Sequence, residues 1–362
     1  MMKNIFQIAG AYIGLIVGAG FASGQEVLQF FTSFGWYSLI GTSIATLLFA
    51  FLGMQIMQIG SRLQTTSHKD VIYKICGKYI GTGVDILVTF FLFGVASVMI
   101  AGSGSIFEQQ FGMQPMVGAL LLTLFVIGTL CLNIKNVISI ISMITPLLLI
   151  LIFIVTAYSI FTSSTSIGEL DTIASNQPSA APNWLIGGML YVSYNIAAGV
   201  SMLAIIGGTV KNNKIASRGG FLGGIGLGLL LFLINLGLFM NADKIQDAEM
   251  PTLFLATDMS PVAGMFMSIA LLGMIFNTAV GMLYAFTVRF VQPETPRFKV
   301  SVVLVSLLAF GASFIGFLEL VGSVYPITGY LGFVLILAIL FTWVSGSRKN
   351  KSSMDTYGKK AL

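Results

Sequence analysis

Ten stretches of this chain run for 19 residues or more without a single charged side chain, and that spacing limits what it can fold into. They are 4–25, 27–61, 86–107, 109–134, 136–168, 172–210, 219–242, 259–288, 300–318 and 320–347. Bilayer hydrocarbon is about 30 Å thick and takes about 20 helical residues with few or no charges to cross. The ten gaps therefore predict ten spanning segments in an all-α polytopic membrane protein. Helices are favoured because each satisfies its own backbone hydrogen bonds inside lipid. A β-barrel needs alternating segments of about ten residues, and the stretches here are continuous. Composition agrees, since 9% of the residues are charged, against roughly 25% in soluble domains.

Orientation follows from lysine and arginine, which concentrate in cytoplasmic loops. With the N-terminus inside, the inner segments hold 17 of the 18 basic residues, and only Lys244 falls outside. Both termini are expected in the cytoplasm of a bacterial cell whose plasma membrane the chain crosses. The net charge of +5 is a by-product of this bias, so no nucleic-acid partner is expected. The apolar N-terminus continues directly into further apolar sequence, so it reads as mature sequence and not as a cleaved signal. Cys76 and Cys131 lack neighbours of metal-site spacing and read as small hydrophobes.

The spans are expected at 4–34, 36–59, 83–107, 115–133, 137–161, 184–209, 217–240, 261–288, 300–317 and 321–345. In the inner segment 61–81, Val71, Ile72, Ile75 and Tyr79 recur at helical spacing, as in a short interfacial helix. The outer segment 162–183 is rich in Ser, Pro and Asn without a hydrophobic period. Residues 251–258 predict a short outer helix. The organisation is one transmembrane domain over 1–345, with repeats at 1–161 and 184–345, followed by a basic tail over 346–362. Five spans per half invert the second half relative to the first, as an inverted repeat requires.

The first span carries G-A-G-F-A-S-G at 18–24. Glycine weakens helices and tolerates non-helical angles. Ser23-Gly24-Gln25-Glu26 fits the capping box S-x-x-E, which starts a helix. The expectation is helix, unwound 18–22, helix restarting at Ser23. The sixth span places S-Y-N-I-A-A-G at 193–199, where a second break is expected. Unwound backbone inside a bilayer must line a cavity or bind something. Half-helix N-termini attract carboxylates, and free carbonyls coordinate Na⁺ or ammonium. A zwitterionic amino acid with a coupled cation suits that chemistry.

Ten spans, the 5+5 plan and V-G-A-G-F-A-S-G resemble the amino acid–polyamine–cation superfamily with the LeuT fold. Within it, G-A-Y-I-G-L-I-V-G-A-G-F-A-S-G-Q-E resembles the YkvI-like branch of bacterial membrane proteins. The resemblance implies substrate contacts at Gly18, Ala19 and Gly20 in span one and at Ser193, Tyr194, Asn195 and Ala197 in span six. Ser23 and Glu26 join that substrate set, and span three offers Gly94, Ser97 and Val98. It also implies a Na⁺ site from the carbonyls of Gly14 and Val17 with Asn277 and Thr278. Asn277 stands where the superfamily has a hydroxyl, so Na⁺ and H⁺ both remain open as coupling ions.

Glu26 is the only acid within the first span, and it has four candidate roles: the helix cap, an outer-vestibule carboxylate, a substrate amine partner, or a proton carrier. Asp85 falls at the inner mouth of span three, Glu108 and Glu319 at outer ends. His68 lies in the polar inner loop, and Trp36, Trp184 and Trp343 read as interface anchors. The expected function is secondary active transport of an amino acid or related solute by alternating access. The alternative is a nutrient receptor of germinant type that binds a solute to signal. No G-x-x-x-x-G-K-[ST] loop is present, so ATP-driven pumping by this chain alone is disfavoured. No cofactor is expected. An enzyme ranks last, because the single histidine lies outside the spans.

Overall fold

The computed structural model describes residues 2–64, 68–131, 144–163, 165–292 and 295–358. The expected first span is three helices, α1 (Met2–Ile16), α2 (Ala19–Ser23) and α3 (Gln25–Phe30). Then follow α4 (Tyr37–Leu63), α5 (His68–Phe111), α6 (Pro115–Cys131) and α7 (Ile144–Thr162). The second half holds α8 (Ile167–Ser175), α9 (Trp184–Gly208), α10 (Asn213–Phe239), α11 (Pro251–Met259), α12 (Pro261–Val288), α13 (Pro296–Ser313) and α14 (Phe317–Gly358).

Six helices among the described residues are long and apolar enough to cross a bilayer, and the bent α9 makes a seventh. Two shorter apolar helices, Pro115–Cys131 and Leu149–Thr162, stand at the fourth and fifth expected spans. The short outer helix expected at 251–258 is present as α11. The outer segment 162–183 differs from expectation, since α8 forms within it; Leu170 and Ala174 bury one face against Phe239 and Ala242. The inner helix and the third span run together in α5 across a kink at Gly77, whose φ is 69°. The start of the fifth span and Lys135 lie outside the described residues, as do the side chains of His68, Val71, Ile72, Ile75, Cys76 and Trp343.

Polar residues just ahead of an apolar run start several helices. Asn183, Asn212, Ser260 and Thr295 each accept a backbone N–H from the first turn that follows, which satisfies donors otherwise left over at a helix start. What brings the helices together is largely glycine. On α10, Gly220, Gly224 and Gly228 form one stripe, and a Cβ on them would collide with Gly53, Ala50 and Thr46 of α4. Lipid tails are as apolar as leucine, so close van der Waals contact between small residues has to hold such helices together. Tyr12 of α1 wedges into the same region beside Gly53 and Gly223, and its hydroxyl donates to the Phe49 carbonyl at 3.0 Å.

The end of the bundle away from Met2 is tied by buried polar contacts. Thr32 donates to Asn235 Oδ1 at 2.8 Å, and Asn235 donates onward to Ser38 at 2.9 Å. Trp36 N–H donates to Asp171 of α8 at 2.7 Å. Trp36 is about half exposed and Trp184 stacks on Tyr37, with ring centroids 5.9 Å apart. At the opposite end, Arg289 after α12 pairs with Asp85 of α5 at 2.8 Å and also donates to Thr89 at 2.7 Å.

Substituting Gly224→Val forces α10 away from α4, and overpacking of this kind costs about 1–3 kcal/mol. Gly311→Ala, inside α13 where nothing lies within 4 Å of the new methyl, raises stability by about 0.5–1 kcal/mol. Thermal unfolding of the two purified variants in detergent distinguishes them.

Candidate functional site

The first span is interrupted twice. The last hydrogen bond of α1 runs from Val17 N–H to the Ile13 carbonyl at 2.8 Å. Gly18 is extended, with φ −102° and ψ −174°, and α2 begins at Ala19. The carbonyls of Gly14 to Val17 therefore have no following turn to accept from. After α2 the chain passes Gly24, whose φ of 81° is left-handed, and α3 starts at Gln25. Thr252 of α11 braces this second break, and its hydroxyl donates to the Ala22 carbonyl at 2.5 Å.

This corrects the expected geometry. The unwound stretch is 17–18 and not 18–22, and the helix restarts at Ala19 and not at Ser23. The capping box does not form. Ser23 donates to the Gly20 carbonyl at 2.8 Å and accepts Gln25 N–H at 3.2 Å. Glu26 makes no return to the Ser23 amide; its Oε2 accepts the Tyr194 hydroxyl at 2.5 Å, and the Tyr325 ring stacks on Tyr194 with centroids 4.7 Å apart. The physical reason is the turn at Gly24, after which Glu26 is buried beside the Tyr194 phenol, and that donor takes the carboxylate in place of the Ser23 amide. Gly20 makes room for it, because a Cβ there would collide with the Glu26 carboxylate.

The sixth span is broken, as expected, but between Val200 and Met202 and not within 193–199. Residues 193–199 stay helical, and α9 bends by 55° between Trp184–Val200 and Met202–Gly208. The polar side chains that suggested a break are satisfied without one. Ser193 donates to the Gly329 carbonyl of α14 at 2.7 Å, and Asn195 donates back to the Tyr191 carbonyl at 2.9 Å. Gly199 serves a close approach, since a Cβ on it would meet Ile16 at 2.9 Å.

A cavity of about 400 Å³ lies between these elements. Of the expected residues, Gly14, Val17, Gly18, Gly20, Glu26, Tyr194, Asn195, Asn277 and Thr278 line it. The proposed ion ligands face it together, and a Cβ on Gly18 would sit 3.9 Å from the Thr278 hydroxyl. Ser23, Ser193 and Ala197 are buried but not among its lining, and the side chain of Ala19 lies outside the described residues. Span three presents Phe91, Val95 and Met99 in place of Gly94, Ser97 and Val98. Ser97 donates to its own turn, at the Phe93 carbonyl, and Gly94 faces Val324. A single strip of helix with no motif gave no means of fixing that register.

Sequence reasoning missed Tyr325. The signal available was a tyrosine directly before Pro326 inside an apolar span. Its ring stacks on Tyr194 with centroids 4.7 Å apart, and Phe91 and Phe30 flank Tyr194 at 6.3 and 5.6 Å. With Phe21 and Glu26, all buried, these rings close the cavity at one end. At the other end Gly14, Met202 and Gly281 are exposed, so the cavity faces the side where α1 begins. No Lys or Arg lines it, and its polar groups are one carboxylate, two phenols, two carboxamides and one hydroxyl. No group of three His, Cys, Asp or Glu side chains able to hold a metal occurs among the described residues.

A multi-pass membrane protein with the helical architecture of LeuT-fold transporters is what this arrangement defines. A manganese transporter of Eremococcus coleocola superposes with a TM-score of 0.62, over 93% of this chain and 78% of that one, at 14% identity. MhsT in complex with L-phenylalanine gives 0.62, over 93% and 97%, also at 14% identity. A Na⁺-coupled sialic acid symporter gives 0.51, over 93% and 86%, at 16% identity. In sequence, the chain is 28% identical over 347 residues to the uncharacterized membrane protein YkvI of Bacillus subtilis, covering 92% of this chain and 94% of that protein. It is 29% identical over 339 residues to YyaD of the same organism, covering 91% and 94%. No family model matches the sequence.

Removing a donor from a buried carboxylate costs about 1.5–3 kcal/mol. Tyr194→Phe is therefore expected to destabilise the protein by about that amount in the parent and by clearly less in a Glu26→Gln background. A double-mutant cycle on detergent-solubilised protein measures the difference.

Proposed function

We propose that the chain is a secondary active transporter of an amino acid or related small organic solute, coupled to Na⁺ or H⁺. It works by alternating access around the mid-span cavity, and it has no catalytic role. The observation that carries this reading is the convergence at one depth of the α1–α2 gap, the buried Glu26–Tyr194 pair and the Asn277–Thr278 pair, in a cavity closed at one end and open at the other. The helical architecture shared with LeuT-fold transporters supports it, and so does the way α1 and α9 border one cavity.

In this reading α1 to α7 form the first repeat and α9 to α14 the second, with both termini in the cytoplasm and the cavity open inward. A substrate amine sits against Glu26 and the free carbonyls of the gap. A substrate carboxylate takes the unpaired N–H groups where α2 begins. A coupling Na⁺ takes the carbonyls of Gly14 and Val17 with Asn277 and Thr278, or a proton rides on Glu26. The cavity volume suits a small solute: pockets of about 300–1,000 Å³ hold drug-sized ligands. Closing the inner mouth requires α1 and the bent end of α9 to approach α12, with the aromatic barrier at Tyr194 and Tyr325 parting on the far side.

Thermal-shift screening of the purified protein against amino acids, amines and nucleobases, with and without Na⁺, tests binding. A ligand at about 100 times its Kd stabilises by about 2.7 kcal/mol. Stabilisation is expected to vanish in Gly20→Leu, whose side chain displaces Glu26; its persistence for every ligand refutes the site. Uptake of the hit into proteoliposomes driven by a Na⁺ or pH gradient establishes transport. Binding without uptake supports the receptor reading instead. A Na⁺ response that survives both Asn277→Ala and Thr278→Ala rules out the ion site.

A further inference from the structure

Glu26 is the sole acidic side chain that lines the mid-span cavity, and no Lys, Arg or His lines it. It is 5% exposed, and no ion pair to it occurs among the described residues. Its Oε2 accepts one hydroxyl, that of Tyr194. A carboxylate held this far from water needs a cation, and a cation that the cavity walls do not supply has to arrive with the ligand.

The place for the other half of a zwitterion is already filled. The N–H groups of α2 without a helical acceptor are those at 19–21, since Ala22 N–H makes the first bond of the helix, to the Gly18 carbonyl at 3.0 Å. Glu26 lies against that turn, where a Cβ on Gly20 would collide with its Oε1 and carboxyl carbon. A ligand carboxylate brought to these amides meets a like charge at close range, with little water to screen it. In addition, α2 is only five residues long, so it has little macrodipole with which to hold an anion.

An ammonium group is better provided for. Tyr194 and Tyr325 stack with centroids 4.7 Å apart, and Phe91 lies 6.3 and 6.1 Å from them. All three are buried and line the cavity with Glu26. Aromatic faces attract a cation within about 6 Å of their centroids, most strongly where water is excluded. Val95, Met99 and Met274 add apolar wall, and methionine adapts to flat or branched apolar bodies. A second ammonium on the ligand would find no second acid.

We propose that the mid-span cavity selects an apolar monoamine without a carboxylate, its ammonium on Glu26 within the Tyr194, Tyr325 and Phe91 rings. Amino acids and polyamines are both discriminated against, the first by Glu26 over Gly20 and the second by the lack of another acid. The proposal rests on the reading of this cavity as the solute site and narrows its solute to the amine.

Calorimetric titration of the full-length protein in detergent at neutral pH tests it with 2-phenylethylamine. L-Phenylalanine adds a carboxylate to that skeleton, 2-phenylethanol replaces the amine with a hydroxyl, and 1,5-diaminopentane exchanges the ring for a second amine. The monoamine is expected to bind, and each of the other three to bind at least tenfold more weakly. Glu26→Gln, which keeps shape and removes charge, weakens the monoamine at least tenfold and narrows its advantage over phenylalanine. Tyr325→Leu weakens it about threefold to tenfold and serves alone if the glutamine variant does not fold. The proposal is overturned by absence of monoamine binding to the parent, by equal or tighter binding of phenylalanine, the alcohol or the diamine, or by unchanged affinity in either variant. Proteoliposomes separate this outcome from the fate of the transport reading. Monoamine binding without gradient-driven uptake removes transport and keeps the ligand class, whereas uptake of phenylalanine in preference to the monoamine keeps transport and removes the class.

Discussion

A peptide group inside hydrocarbon has no water to bond to, and this constraint governs nearly every feature of the molecule. It makes the chain helical wherever it crosses, and it makes each interruption of a helix costly. The structure interrupts the first span all the same, at residues 17–18 and again at Gly24. Both breaks lie where something else meets the backbone. The first borders the cavity beside Thr278, and the second is braced by Thr252 from a short helix that belongs to the other half of the chain.

Glycine does two kinds of work in meeting the same constraint. On α10 it removes side chains so that two helices approach until their backbones touch, which replaces the hydrophobic drive that lipid cannot supply. At Gly20 it removes a side chain so that a carboxylate fits. Glu26 is thereby stationed at the end of the cavity, with the Tyr194 phenol of α9 as its donor and Tyr325 of α14 stacked on that ring. Around that acid, Tyr194, Tyr325, Phe91 and Phe30 form a layer of packed aromatic rings.

Much of the fold was legible in the sequence because hydrocarbon thickness and charge placement are one-dimensional facts. The ten charge-free stretches each have a helical counterpart among the described residues, with the first in three pieces and the sixth bent. The glycine-rich interruption of span one was legible for the same reason: residues 18–24 contain too many glycines for an undisturbed helix. The error at Ser23 and Glu26 shows the limit. S-x-x-E is a local pattern, and the local pairing lost to Tyr194, which lies 168 residues away. Ser193 and Asn195 misled about the place of the second break, since their hydroxyl and carboxamide found carbonyl acceptors and the helix bends only after Val200.

What the sequence by itself determined is therefore the all-helical membrane chain, the approximate position of its apolar helices and the presence of a weak point in the first expected span. Those follow from hydropathy, charge and glycine content, which need no partner to take effect. Tertiary structure decided where the breaks fall to the residue, which face of span three meets the cavity, that Tyr325 joins Tyr194 at Glu26, and that α9 bends after Val200. Each of these depends on which distant group supplies a hydrogen bond or a contact. In a solvent that supplies none, only the packed neighbour can settle it.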